Sequence, residues 1–226
     1  MEYKEVIQTL ESMGKPDNVA GMARFGINAE NTLGISMPEL RKLGKRIGKD
    51  HDLALRLFDS GIREARILAT LVADPAAFTG EQAESWVVRL DSWDVCDQFC
   101  MGLMWRTPFA CDKCFEWSAR PEEFVKRAGF ALIAKLAWSD KKATDETIAG
   151  FLPIIEREST DERNFVKKAV NWALRQIGKR DAALNARAID TASRLAASDS
   201  KSARWIASDA LRELEGEAVQ ARIGKG

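Results

Sequence analysis

The chain has 226 residues, 46% hydrophobic and 30% charged, and its 34 basic and 34 acidic side chains cancel. That composition excludes a disordered chain, and the zero net charge leaves any case for a polyanionic partner to the placement of charges rather than their sum. No run approaches the roughly 18 apolar residues of a membrane span.

Apolar residues recur three and four apart along almost the whole length, and strand-like alternation is nearly absent. The pattern predicts helices at 2–13, 16–26, 37–49, 51–59, 61–73, 80–90, 92–105, 109–118, 121–137, 144–156, 162–178, 181–196 and 201–214. Pro38 and Pro121 fall near helix starts, Asp74-Pro75 follows a helix, and Gly178 lies near an end, as proline and glycine usage at helix boundaries requires. No linker or low-complexity stretch interrupts the series, so residues 1–226 are expected to form one domain. The first residues, M-E-Y-K-E-V-I-Q, carry no basic region leading into an apolar core, so no signal peptide is expected. Four cysteines in a chain of this length point to free thiols and a reducing, cytoplasmic setting.

An internal echo organises these helices. F-V-K-R-A-G-F-A-L begins at 124 and F-V-K-K-A-V-N-W-A-L at 165, an offset of 41; W-A-L-R at 172–175 then returns as D-A-L-R at 209–212, an offset of 37. Repeats near 40 residues belong to all-α superhelices of the HEAT or armadillo type, solenoids of antiparallel helix pairs. A compact irregular helical bundle is the alternative.

At 100° per residue, three helices set an unusual group opposite their apolar stripe. In the helix from 92, Val95, Phe99 and Leu103 make the stripe, and Trp93, Asp97 and Met104 lie opposite. In the helix from 121, the stripe is Val125, Ala128, Leu132 and Leu136, with Arg127, Phe130, Ala131, Ala134 and Trp138 opposite. In the helix from 162, the stripe is Val166, Ala169, Val170, Ala173 and Ile177, with Lys168, Trp172, Arg175 and Lys179 opposite. The 41-residue offset maps Arg127 onto Lys168 and Ala131 onto Trp172, and equivalent faces of a solenoid line one surface. Cations around a tryptophan suit phosphates and a sugar or base; packing of Trp172 on the next helix, with solvated cations, is the plainer reading. Arg41, Lys42 and Lys45, with Arg46 and Lys49, would meet a phosphate backbone or form a solvated helix face. Asp97, four residues from Trp93, would serve as a base beside an aromatic surface or pair with a neighbouring arginine.

Other signals are weaker. The cysteines read C-x3-C-x10-C-x2-C at 96, 100, 111 and 114; four thiolates would suit a metal, but two lie inside a helical run without glycine knuckles, so buried free thiols and no metal are expected. His51 is the only histidine, which removes the usual nucleophile–histidine constellations. No phosphate-cradling glycine loop is present, so no cofactor is expected. Most of the seven tryptophans are expected in the core or at helix contacts.

S-W-D-V-C-D-Q at 92–98, V-K-R-A at 125–128, V-K-K-A-V-N-W-A-L-R at 166–175 and G-I-S-M-P-E-L-R at 34–41 together resemble the AlkD-type DNA alkylation repair glycosylases, over roughly 20 to 212. The resemblance implies a HEAT-like solenoid with a positively charged concave face. It implies excision of bases alkylated at ring nitrogens, 3-methyladenine and 7-methylguanine, from double-stranded DNA by hydrolysis of the N-glycosidic bond. It places the catalytic aspartate at Asp97, the two groove tryptophans at Trp93 and Trp172, and the key arginine at Arg127. Lys168, Arg175, Lys179, Arg41, Lys42 and Lys45 are the accompanying DNA-binding candidates, and a monomer is expected. Two positions depart from active relatives: Phe25 stands where they have a tyrosine, and Ser36 where they have a glutamine. A non-catalytic HEAT module binding DNA or a protein is the competing reading.

Overall fold

A computed structural model describes residues 1–224, and among them every regular element is helical. The chain divides into two compact units, Met1–Pro108 and Phe109–Gly226.

The first unit comprises α1 (Tyr3–Ser12), α2 (Pro16–Arg24), α3 (Met37–Ile47), α4 (His51–Asp59), α5 (Arg63–Val72), α6 (Gly80–Val87) and α7 (Trp93–Gly102), followed by a 3-10 turn at Met104–Arg106. Local chemistry sets the starts. Ser36 and Glu39 close a reciprocal capping box on α3, Thr79 and Gln82 another on α6, and the Asp50 carboxylate accepts the Leu53 N–H at 2.9 Å to begin α4; each satisfies amides that a helix start leaves orphaned. The central helix is α5, which packs on α3, α4 and α7 and buries Ala65, Ile67, Leu68, Ala69 and Val72. Phe58 stacks on Trp86, centroids 4.0 Å apart and planes 5° from parallel.

The second unit comprises α8 (Ala110–Ser118), α9 (Glu123–Ser139), α10 (Asp145–Ala149), α11 (Leu152–Glu158), α12 (Asn164–Gly178), α13 (Ala182–Ala196), α14 (Lys201–Leu214) and α15 (Glu217–Ile223). Helix α9 packs on α12 and α12 on α14, while α8 backs α9, and α11 and α13 back α12. Three pairs therefore recur, α8/α9, α11/α12 and α13/α14, with the second helices in one layer. The 41- and 37-residue echoes fall on these stacked second helices, so the sequence repeat is a structural repeat, and the fold is HEAT-like.

Three sequence expectations change. The predicted helix 144–156 is two helices, because Gly150 closes α10 and Pro153 opens α11. The predicted helix 92–105 ends at Gly102; Met104 then enters the 3-10 turn fully buried. Helix α15 had no counterpart in the pattern. Only Trp86 and Trp117 of the seven tryptophans are fully buried, and Trp138 and Trp205 are exposed.

A larger correction concerns α9. Phe130, Ala131 and Ala134, expected opposite the core stripe, are 0–1% exposed, and Arg127 is 6% exposed. The helix lies between α8 on one side and α12 on the other, so both faces are covered and the wheel has no solvent side along its middle turns. Only Trp138, near its end, is open to solvent. At Gly129 a Cβ would stand 2.6 Å from the Ser118 backbone nitrogen, so only glycine admits this approach of α8 to α9.

Candidate nucleic-acid interface

In the first unit, the residues that look outward are held by a buried ionic network beneath them. The Glu64 carboxylate accepts the backbone N–H groups of Leu33 (2.8 Å), Gly34 (2.9 Å) and Ile35 (3.3 Å). Arg63 donates from Nη1 to Glu64 Oε1 at 2.8 Å and from Nε to Asp94 Oδ2 at 2.6 Å. Ser92 Oγ donates to the other Asp94 oxygen at 2.5 Å. Buried charges persist only when paired and fully bonded, and here the pairing joins the segment before α3, the start of α5 and the start of α7. Gly34, at φ +79°, packs so closely that a Cβ would fall 2.2 Å from the Lys15 carbonyl oxygen.

Within S-W-D, then, Ser92 and Asp94 point inward and Trp93 lies on the opposite side, half-exposed. The Trp93 indole Nε1 donates to the Phe25 carbonyl oxygen at 3.0 Å, which fixes the ring. Phe25 itself is 75% exposed. One turn along α7, Asp97 is half-exposed on the same face as Trp93. Ser36, expected as an altered DNA contact, instead donates from Oγ to Glu39 Oε2 at 2.6 Å at the cap of α3.

The basic residues of α3 do not share one face. Arg41 and Lys45 border an open cleft of about 370 Å³ with Lys49 and Arg106 around Gly44 and Leu71, whereas Lys42 borders a different hollow beside Met13 and Arg46. Burial pushes the Arg106 guanidinium below its ordinary value, opposed by Asp74; Lys49 pairs with that Asp74 at 3.0 Å.

In the second unit, Arg127 donates from Nη1 to the Phe165 carbonyl at 2.7 Å, bracing the first turn of α12 against α9. Lys168 is exposed and Trp172 half-exposed. With its amide oxygen turned inward, Gln176 accepts from both Trp172 Nε1 and Lys179 Nζ, each at 3.2 Å. Arg175 and Lys179 turn toward α14: both pair with Glu213, Lys179 at 2.6 Å, and Arg175 lies 3.6 Å from Asp209. Asn171 adds a 2.6 Å bond to Asp209. Burial would raise the Glu213 carboxyl, but the hydrogen bond from Lys179 and the two nearby cations hold it below the usual range. Two of the three cations expected on this face are thus charge-compensated within the chain. Ala131, the repeat equivalent of Trp172, is buried.

Sequence reasoning missed Arg63, Glu64, Asp94, Asp209 and Glu213. The last two did leave a signal, since they stand four apart on α14 and so on one helical face. Among the described residues no group of three or more His, Cys, Asp or Glu side chains is arranged to hold a metal ion. Cys96, Cys100 and Cys114 are buried, and burial raises the Cys114 thiol well above its ordinary value. No helix among the described residues is long and apolar enough to cross a membrane.

A family model described as DNA alkylation repair enzyme matches residues 6–214. Comparison with curated proteins gives no match. Among solved structures, one described as "a new family of proteins related to the HEAT-like repeat DNA glycosylases with affinity for branched DNA structures" superposes with a TM-score of 0.82, covering 99% of this chain and 97% of the other at 21% identity.

Proposed function

Because the chain belongs to the DNA alkylation repair enzyme family, we propose that it is a DNA glycosylase releasing cationic N3- and N7-alkylated purines, 3-methyladenine and 7-methylguanine, from duplex DNA. The observation that carries this reading is the shared half-exposed face of Trp93 and Asp97, with the Trp93 ring fixed by the Phe25 carbonyl.

An alkylated purine bears a formal positive charge and leaves without being protonated, so one carboxylate suffices where ordinary glycoside hydrolysis needs two. As the bond from C1′ to the base nitrogen breaks, its electron pair neutralises the departing base and the sugar gains oxocarbenium character. Asp97 stabilises that charge and orients a water. The water oxygen bonds to C1′ and its proton passes to Asp97 or solvent, leaving a neutral free base and an abasic sugar. The face of Trp93 attracts the cationic sugar by about 0.5–2 kcal/mol, and Trp172 offers DNA a further aromatic surface. Lys168 contacts phosphate. Arg127, bonded to the Phe165 carbonyl, acts by placing the helix that carries Trp172 and offers a phosphate only its small open edge.

The test is release of 7-methylguanine from a duplex carrying that single lesion, by the natural protein and by Asp97→Asn. Release lost with Asp97→Asn while DNA binding persists supports the reading; equal release by both proteins sinks the assignment of Asp97. Efficient release of uracil, an uncharged lesion, would contradict the mechanism. The second reading is a module that binds DNA without cutting it, favoured by Phe25 standing in place of a hydroxyl-bearing side chain and by the branched-DNA affinity described for the similar structure. No release from any alkylated duplex, with salt-sensitive binding retained, selects that reading; no DNA binding at all selects a protein-binding scaffold.

A further inference from the structure

Beyond the Trp93 and Asp97 face, the second unit carries a cationic cavity beside an exposed indole. It has a volume of about 330 Å³ and is lined by Trp138, Lys141, Gln176, Lys179, Arg180 and Arg222, closed by Ala137 and Ile223. Every charged side chain in that lining is basic. Arg180 spends its donors on three backbone carbonyls, those of Ala137 (3.1 Å), Asp140 (2.7 Å) and Ala143 (2.7 Å), and its nearest carboxylate, Asp145, is 3.9 Å away. Arg222 donates to the Lys179 carbonyl. Both guanidiniums are therefore held in place by backbone acceptors, with Asp145 at the outer limit of ion-pair distance from Arg180. Lys141 is exposed, and Lys179 is closely compensated by Glu213 at 2.6 Å.

Trp138 is 57% exposed, although Lys135 Nζ stands 4.7 Å from its ring centroid. A large aromatic left open beside fixed cations is the arrangement that holds single strands, the ring stacking a base and the cations meeting the backbone. The size supports an unpaired base over a duplex, since the cavity sits at the low end of small-ligand pockets, roughly 300–1,000 Å³. It also continues from the candidate site on α12, because Gln176 bonds Trp172 on one side and lines this cavity on the other. We infer that the Trp138 cavity binds an unpaired base and its adjacent phosphate on single-stranded DNA. This requires that the chain bind nucleic acid, and is independent of whether it excises bases.

The test is fluorescence anisotropy of the full chain with a labelled oligothymidylate, a blunt duplex, and the same duplex carrying a single-stranded flap. Trp138→Ala should weaken binding to the single strand and the flap by roughly tenfold, within the range of one lost base stack, and leave the blunt duplex unchanged. Trp138→Phe should retain most of the affinity. Lys141→Ala should reduce the salt slope on the single strand by about 0.7, the value for one phosphate contact. Lys141→Glu, at an exposed position that packing does not constrain, tests the same cavity should Trp138→Ala fail to fold. No binding of the single strand by the natural protein, unchanged affinity in Trp138→Ala and Lys141→Glu, or equal losses on single strand and blunt duplex would each overturn the inference. Release of 7-methylguanine by Trp138→Ala should match the natural protein, so a failure here is separable from a failure of the glycosylase reading.

Discussion

Arg63 and Asp94 meet in a buried ion pair, Nε to Oδ2 at 2.6 Å, one residue after the half-exposed Trp93. The pair joins α5 to the first turn of α7, with side chains only 8% and 10% exposed. Truncating Asp94 leaves the buried Arg63 with Glu64 as its remaining ionic partner, so the cost is at most that of breaking a buried pair outright, about 3–5 kcal/mol. Asp94→Ala is therefore expected to lower the unfolding free energy obtained from urea titration by up to that amount. A change under about 1 kcal/mol would mean that the network is not a structural keystone for α7.

Phe25 holds Trp93 through its backbone carbonyl, so its side chain is free to change without releasing the indole. Phe25→Tyr should leave thermal stability unaltered and restore a hydroxyl at an open position. A hydrogen bond from it to DNA, at about 0.5–1.5 kcal/mol, should tighten duplex binding by roughly two- to tenfold. Binding isotherms of the two proteins on one duplex decide the matter, and identical curves would show that this position does not touch DNA.

Glu213 ties up Arg175 and Lys179. Its carboxyl is held below the ordinary value of 4.5, so the stability it contributes is present above pH 4.5 and is lost as pH falls below that through the depressed folded value. Glu158 and Asp161 are shifted the same way. Glu213→Gln should make the acid loss of stability shallower without abolishing it. The same substitution frees two cations, so the salt slope of duplex binding should steepen by about 1–2. An unchanged slope would place Arg175 and Lys179 away from the DNA path.

Gly129 and Gly21 make a contrast within one chain. A methyl at Gly129 would collide with the Ser118 backbone, while nothing lies within 4 Å of one at Gly21. Gly129→Ala should destabilise by about 1–3 kcal/mol through overpacking, and Gly21→Ala should stabilise by about 0.5–1 kcal/mol through helix propensity. Thermal melts of the two variants should move in opposite directions.

The sequence by itself determined the helices, their approximate limits and the repeat. Those features are local: each apolar stripe, cap or proline acts within a turn or two, and the echo at 124, 165 and 209 needs only the chain to be read. It also set Trp93 and Asp97 opposite the α7 stripe, where both are half-exposed because that face of α7 is left uncovered; Met104, set beside them, is buried because the helix ends at Gly102 before reaching it. Only the tertiary structure decided what covers the remaining faces. Helix α9 is packed from two sides, so Phe130 and Ala131 are core although they lie opposite the stripe. Arg175 and Lys179 are drawn to Glu213, 38 and 34 residues away, and Ser36 is committed to the cap of α3. Periodicity records how one helix divides its own surface, but it carries no information about how many neighbours that helix has, or which distant carboxylate will reach a cation first.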